Sequence, residues 1–470
     1  MTRMRACRLL AFSCLPLLLG LMPSCKKFLS ITPTGMVIPS TTVEYRALLT
    51  RAYSQWPQDL PKLIMRTDGV ECVFTQSIDR DAFSDFYIWQ DQARNASASY
   101  TDWQKYYFAI YTANYLLEVM QANGSPSMDD RQILGECYAL RAYAHFVLAS
   151  IYAPAYSTTT LSAPAVPIST STQMGVYLKK STLKEVYDQI KADIAHAREY
   201  MLVNAWAPDR NAGTQITVEN AEYMYRFSKD ALLALEQRVA AYTQDWEGVL
   251  RCWQELQARP YKLVDLNESS AELPCHYRST ENILALDQVF QSEFVPILRP
   301  SKLLLASYPE GDLRKARYFV EITPGDYRIN RGQKIDHGQA TYPTVDAYRC
   351  SFRLADALLL AAEADAQLDR LSEAKALLGQ LAKCRVKPGA LAAVTDAINA
   401  LPDRPAVLAY LLQERLRELP MEGWRWFDLR RCGQPSLVHT FEGTDYNLAQ
   451  GDSRYTLPIP PEAKAANSNL

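Results

Sequence analysis

Between residues 414 and 431 the sequence reads ERLRELPMEGWRWFDLRR. Five arginines, four acidic groups, two tryptophans and a phenylalanine crowd into eighteen residues. Carboxylates beside guanidiniums can serve acid–base catalysis or oxyanion recognition, but structural ion-pair networks look the same in a sequence. Here the spacing favours structure. Glu414 and Arg417 are three positions apart, as are Arg415 and Glu418, the separation at which helical side chains meet. Pro420 lacks a backbone donor and crowds the carbonyl of Leu416, so the helix should bend or stop there, and Gly423 allows a restart. Beyond it Trp424, Phe427, Asp428 and Arg431 fall on one side, Trp426 and Leu429 on the other, which predicts a helix buried between layers. Every charge then has a partner within three or four residues, drawn from Glu414, Glu418, Glu422 and Asp428. The stretch reads as framework.

A second stretch, DFYIWQDQARN (85–95), mixes aromatic rings with amides and carboxylates. A ring face can stack on a sugar while amides and acids hold its hydroxyls. Tyr87, Trp89, Asp91 and Asn95 are therefore candidate ligand contacts, with Tyr277, Tyr308 and Tyr342 in later loops as further ones. Packing in the core is the competing reading for each single aromatic. Trp246 and Trp253 lie on one helix face and read as packing. Ten cysteines carry no CxxC pair, and seven of them (72, 137, 252, 275, 350, 384, 432) are scattered along the chain, so buried thiols are expected rather than a disulfide framework. None of the five histidines sits at metal-ligand spacing, and neither a metal nor a cofactor is implied.

Holding these residues is a predominantly helical frame. Apolar residues recur at three-and-four spacing over 99–121 and 129–153. Thr182 and Glu185 form a capping-box signature ahead of Leu183, Val186, Tyr187, Ile190, Ile194, Ala197 and Met201 on one face. A long Pro-, Ser- and Thr-rich loop precedes it. Segments 229–257 and 353–383 resemble each other: an alanine-rich helix, a short turn, a second helix. Small residues that let helices approach closely suit stacked hairpins of the tetratricopeptide kind, with ordinary antiparallel pairs in a bundle as the alternative. Segments 55–98, 259–350 and 432–470 lack a sustained helical period and are expected to be loops and minor strands, where binding residues tend to sit. At 48% apolar content the chain is globular, and 50 basic against 52 acidic residues set nucleic-acid binding aside.

Arg3, Arg5 and Arg8 precede the apolar run LLAFSCLPLLLGLM and then Pro23-Ser24-Cys25. That layout is expected of an export signal over 1–24, with Cys25 placed for lipidation. Two or more acyl chains, at about 0.8 kcal/mol per buried methylene, would hold the chain on a membrane.

Together these motifs resemble the SusD/RagB family. ERLRELPMEGWRWFDLRRCG is similar to its C-terminal signature, in which Arg415, Glu418, Glu422, Gly423, Arg425, Trp426, Phe427, Asp428, Arg430 and Arg431 match. CKKFLSITPTG (25–35) resembles the family's lipidated start, RLADALLLAAEADAQL its alanine-rich helix, and LPIPPEAKAANSNL its ending. Ser30, where an acid is usual, Lys26-Lys27, Pro420 and Ser468 depart from the pattern. The resemblance implies a single domain over 25–470, with halves at about 25–225 and 226–470 sharing one tetratricopeptide-like helix-hairpin superhelix under long loops and minor strands. It further implies an outer-membrane lipoprotein facing the cell exterior, not an enzyme, that binds oligosaccharides or peptides for a SusC-like TonB-dependent transporter. Two other roles stay open from the residues themselves: an envelope scaffold for a protein partner, and a glycoside hydrolase with dispersed carboxylates.

Overall fold

Capping chemistry sets where the long helices begin. Thr41 with Glu44, Ser127 with Asp130 and Thr182 with Glu185 each close a reciprocal capping box, which satisfies amides that the first helical turn leaves unpaired. A computed structural model describes residues 38–90, 101–124, 126–173, 175–206, 224–269, 272–289, 296–330, 334–336, 339–341 and 348–470. The expected leader, Cys25, Asp91, Asn95 and Tyr342 lie outside the described residues. Residues Thr41–Leu470 pack as one unit.

The principal helices are α1 (Thr42–Ser54), α2 (Trp103–Ala122), α3 (Met128–Tyr152), α4 (Leu183–Tyr200), α5 (Lys229–Tyr242), α6 (Trp246–Leu256), α7 (Leu354–Gln367), α8 (Leu371–Arg385), α9 (Pro388–Asn399), α10 (Arg404–Glu418) and α11 (Arg425–Arg431). From α1 to α9 each packs on the next, and α10 returns to cover α7. The fold is mainly α-helical, with tetratricopeptide-like hairpins. Among the described residues strands form short antiparallel pairs, among them Val70–Cys72 with Leu298–Pro300, Asn282–Leu284 with Phe352–Arg353, and Leu437–Phe441 with Thr444–Leu448.

The two hairpins that resemble each other in sequence also turn alike. Gln244 and Asp369 occupy the left-handed region at φ 61° and 59°. The amide of Asp245 donates to Ala240 O at 2.9 Å, and that of Arg370 to Asp365 O at 2.8 Å. These are the six-to-one bonds of a Schellman ending, repeated at corresponding positions. Residues 354–366 of α7 are all buried, so this helix runs through the core with hairpins around it. Close approach has its own signature in α3, where a Cβ on Gly135 would lie 2.8 Å from the amide nitrogen of Met201.

Helices also occur in segments expected to be loops and minor strands, among them Ser77–Tyr87, Lys302–Ser307, Arg314–Tyr318 and Pro461–Ala466. Ser77–Tyr87 is helical inside 55–98, but only its last turn (Ser84, Asp85, Phe86, Tyr87) is buried, so no full apolar stripe marks it. In α9 only Ile398 is buried. Among the described residues no helix is long and apolar enough to cross a membrane.

Candidate functional site

The α10–α11 segment ends and restarts where Pro420 and Gly423 place it, yet its charges find partners mostly outside it. Glu418 receives Arg385 Nη2 at 2.7 Å, Arg353 Nη1 at 2.7 Å and Arg314 Nη1 at 3.0 Å. The expected Arg415–Glu418 pair does not form. Arg415 instead donates to Asp428 at 2.7 Å and Asp356 at 2.8 Å. Only Glu414–Arg417 and Asp428–Arg431 join residues three apart within the stretch. Arg425 reaches Asp68, and Arg430 donates to the carbonyl of Ala153 and, at 3.2 Å, to Thr456 Oγ1. A buried guanidinium needs several acceptors at once, more than helical neighbours three or four residues away supply. Burial works against ionisation of Glu418, but Arg385 and Arg353 hold it far below the usual carboxylate range. Burial likewise opposes Asp428, which Arg415 and Arg431 bring down to about 2. These acids are spent on arginines, and the network clamps segments that are distant in the chain.

Nor do the aromatic candidates form a platform. Trp89 and Tyr87 are 0% and 2% exposed. Their rings stack on His439, with centroids 4.0 and 4.2 Å apart. The Trp89 indole N–H donates to Arg66 O at 3.0 Å. Trp89 has a φ of 57° because it closes the Ser77–Tyr87 helix, where the next amide, Gln90, donates to Asp85 O at 2.8 Å. A sugar has no access to either face. Tyr308 is buried too, its hydroxyl donating to Arg417 O at 2.9 Å. Tyr277 is half-buried, stacked on His276, and accepts from Arg278 Nε at 2.8 Å. The three tyrosine and tryptophan positions in the core thus take the packing alternative, and none joins Tyr277.

What could hold a ligand lies elsewhere. A cleft of about 870 Å³ opens between the end of α1, the start of α2, and the loops at 225, 286–288 and 349. Its volume falls in the range of small-ligand pockets. Tyr225 supplies aromatic wall over the buried Tyr53 and Trp56, each 3% exposed, and Gln55, Gln58, Gln288, Lys105 and Arg349 supply polar groups. Trp56 is fixed rather than mobile: it stacks on Tyr143 at 5.0 Å, and its indole N–H donates to Asp287 at 2.9 Å. Tyr143 donates to the other oxygen of Asp287 at 2.5 Å. Burial raises the pKa of Asp287, while bonds from Ser351, Tyr143 and Trp56 oppose that shift. Gln58 accepts from the amide of Gln288 at 2.6 Å, tying one wall to the other. Tyr225, half-buried, meets Tyr53 edge-on at 5.6 Å and leaves ring surface toward the cleft. Aromatic surface, amides and two cations can grip hydroxyls and carbonyls. The stretch QWPQ (55–58) carries that aromatic-plus-amide chemistry in the sequence, but it gives no sign that 225, 288 and 349 join it.

Seven cysteines among the described residues are free thiols, five of them buried. Among the described residues no group of three or more His, Cys, Asp or Glu could hold a metal.

Comparison with known proteins places this geometry in context. A family model described as "Starch-binding associating with outer membrane" matches residues 27–240, and the SusD family model matches 322–470. The SusD-like protein P38 of Formosa agariphila is 24% identical over 405 residues, spanning 72% of this chain and 73% of that protein. Solved structures of SusD superfamily proteins from Bacteroides fragilis and Bacteroides thetaiotaomicron superpose at TM-scores of 0.71 and 0.71, with 19% and 18% identity. Each covers 92% of this chain, and 100% and 99% of its own. A SusD-like carbohydrate binding protein from Bacteroides vulgatus gives 0.67 at 17% identity, covering 92% of this chain and 98% of its own. With one SusD model matching residues 27–240 and another matching 322–470, the chain belongs to the SusD/RagB family.

Proposed function

We propose that the chain is an outer-membrane lipoprotein that captures oligosaccharides in the cleft around Tyr225 and passes them to a SusC-like TonB-dependent transporter. One observation carries the reading: the large open cleft combines half-buried aromatic surface with amides and cations at its rim. The family description, which names starch binding and the outer membrane, supports the ligand class and the location. A single ring offering about 100 Å² gains at most ~2.5 kcal/mol, which falls short of the ~4 kcal/mol that millimolar binding needs. Useful affinity therefore needs the polar groups as well, and Gln55, Lys105, Gln288 and Arg349 are placed to give it. Residues 1–24 act as the export signal and Cys25 as the lipid attachment point, leaving 25–470 as the working protein.

Calorimetric titration with neutral oligosaccharides tests capture, with Tyr225→Ala expected to weaken binding about tenfold or more. Cross-linking in intact outer membranes tests delivery, with a TonB-dependent barrel as the expected partner. A peptide bound in place of every glycan would change the substrate class, and recovery of a different partner would favour the scaffold role.

A further inference from the structure

The lining of the 870 Å³ cleft is one-sided in charge. Lys105, near the start of α2, and Arg349 both line it, and among the described residues no carboxylate does. A third cation stands beside Tyr225: the Arg226 guanidinium lies 5.4 Å from the centre of that ring and donates to Thr50 Oγ1 at 3.3 Å. Acids nearby lie under the wall. Asp59 is 0% exposed and accepts from the amide of Asp102 at 2.8 Å, while Asp287, 3% exposed, is covered by Trp56 and Tyr143. Asp102 accepts from Lys105 at 2.8 Å, but the lysine side chain is 53% exposed and an ammonium has three protons to give.

Such a lining discriminates by charge. A neutral sugar laid over Lys105 and Arg349 strips water from two cations and returns only neutral acceptors. A carboxylate or a sulfate returns a counter-charge, and the planar fork of a guanidinium suits two acceptor oxygens at once. The solvent-exposed Lys105–Asp102 pair is worth little by itself, so Lys105 can turn to a ligand at small cost. Gln55 and Gln288 remain for the hydroxyls, and the half-buried Tyr225 for a ring face.

We propose that this cleft selects acidic oligosaccharides, with Lys105 and Arg349 holding the ligand's carboxylate or sulfate while Tyr225 carries a sugar ring. The inference rests on the capture reading and adds the charge of what is captured. The test is calorimetric titration of the full mature protein with matched pairs, each pair sharing one skeleton. Trigalacturonate is set against its methyl ester, glucuronate-bearing against unsubstituted xylotetraose, and a sulfated carrageenan tetrasaccharide against its desulfated form. Within a pair that binds, the acidic member should bind about tenfold or more tightly than the neutral one. Raising salt from ~0.01 M to ~1 M shortens the Debye length from ~30 Å to ~3 Å and should erase most of that gain. Lys105→Gln should reduce the gain about threefold or more and leave the neutral member within about twofold. Arg349→Gln should act likewise, and Arg349→Lys, which keeps the charge, should restore most of the gain. Arg349 Nη1 also donates to Leu286 O at 3.2 Å, so the exposed Lys105 gives the variant free of any effect on that loop. Which pairs respond separates a carboxylate ligand from a sulfate one. Equal affinity within every binding pair, or a preference that survives both glutamine variants, overturns the proposal and leaves capture standing. Tighter binding of tetraglutamate than of any acidic sugar also overturns it. If no member of any pair binds, capture itself fails and the selectivity with it.

Discussion

Arg353 donates to both carboxylate oxygens of Glu422, each at 2.9 Å, although the two lie 69 positions apart. The same guanidinium also serves Glu281 and Glu418. With Arg353 shared three ways, burial prevails at Glu422 and pushes it up to about 7 despite the opposing pull of Arg353. A carboxyl whose folded pKa is raised stabilises the fold fully below its unfolded value, near 4.5, and loses that contribution as pH rises through about 7. Urea unfolding of wild type and Glu422→Gln at pH 4.5 and pH 8 should differ in slope. Wild type should lose on the order of 2–3 kcal/mol more than the variant over that interval. Equal losses would place the charge elsewhere.

Glu418 is the shared acceptor of three buried arginines. Replacing it by alanine leaves them short of a counter-charge, and about 3–5 kcal/mol of stability should go. Chemical denaturation measures this directly. A loss below about 1 kcal/mol would mean the network relaxes onto other acceptors.

Gly423 holds φ 92°, and a Cβ there would come within 2.4 Å of Leu60 Cβ. Gly433 has nearly the same φ, 94°, with nothing near the added atom. Gly433→Ala should therefore cost about 1–2 kcal/mol for backbone strain alone. Gly423→Ala should cost clearly more, since the Leu60 contact adds to it. Thermal melts of the pair separate the two causes, and equal shifts would refute the close contact.

Trp89 is packed on His439 and bonded to Arg66 O. Trp89→Phe should lower stability by about 1–3 kcal/mol through the lost bond and lost volume. Its affinity for oligosaccharides should stay within about twofold of wild type. A binding defect without a stability defect would return Trp89 to the ligand site.

Much of the frame was readable from residues close together in the chain. The capping box at Thr182, the stop at Pro420 and the paired hairpins all depend on neighbours a few positions apart, and there periodicity speaks plainly. The helix at Ser77–Tyr87 did not announce itself, because one buried turn makes no stripe. Partner choice among the arginines escapes the sequence for a related reason: Arg425 pairs with Asp68, and Arg415 with Asp356, across separations that no local pattern encodes. An aromatic-and-amide pattern in the sequence does not say whether its rings are buried. Tyr87, Trp89 and Trp56 are all packed in the core, whereas Tyr225, which no local pattern singles out, is half-buried beside an open cleft. Which rings reach solvent is decided by tertiary packing.

The most direct measurement is a titration of the purified mature protein and its Tyr225→Ala variant with a panel of oligosaccharides, reading bound heat and released reducing ends together. Wild type should bind saturably, the variant about tenfold or more weakly, and neither should release new reducing ends. Identical affinities in the two proteins, or reducing ends appearing with the wild type, would contradict capture without cleavage.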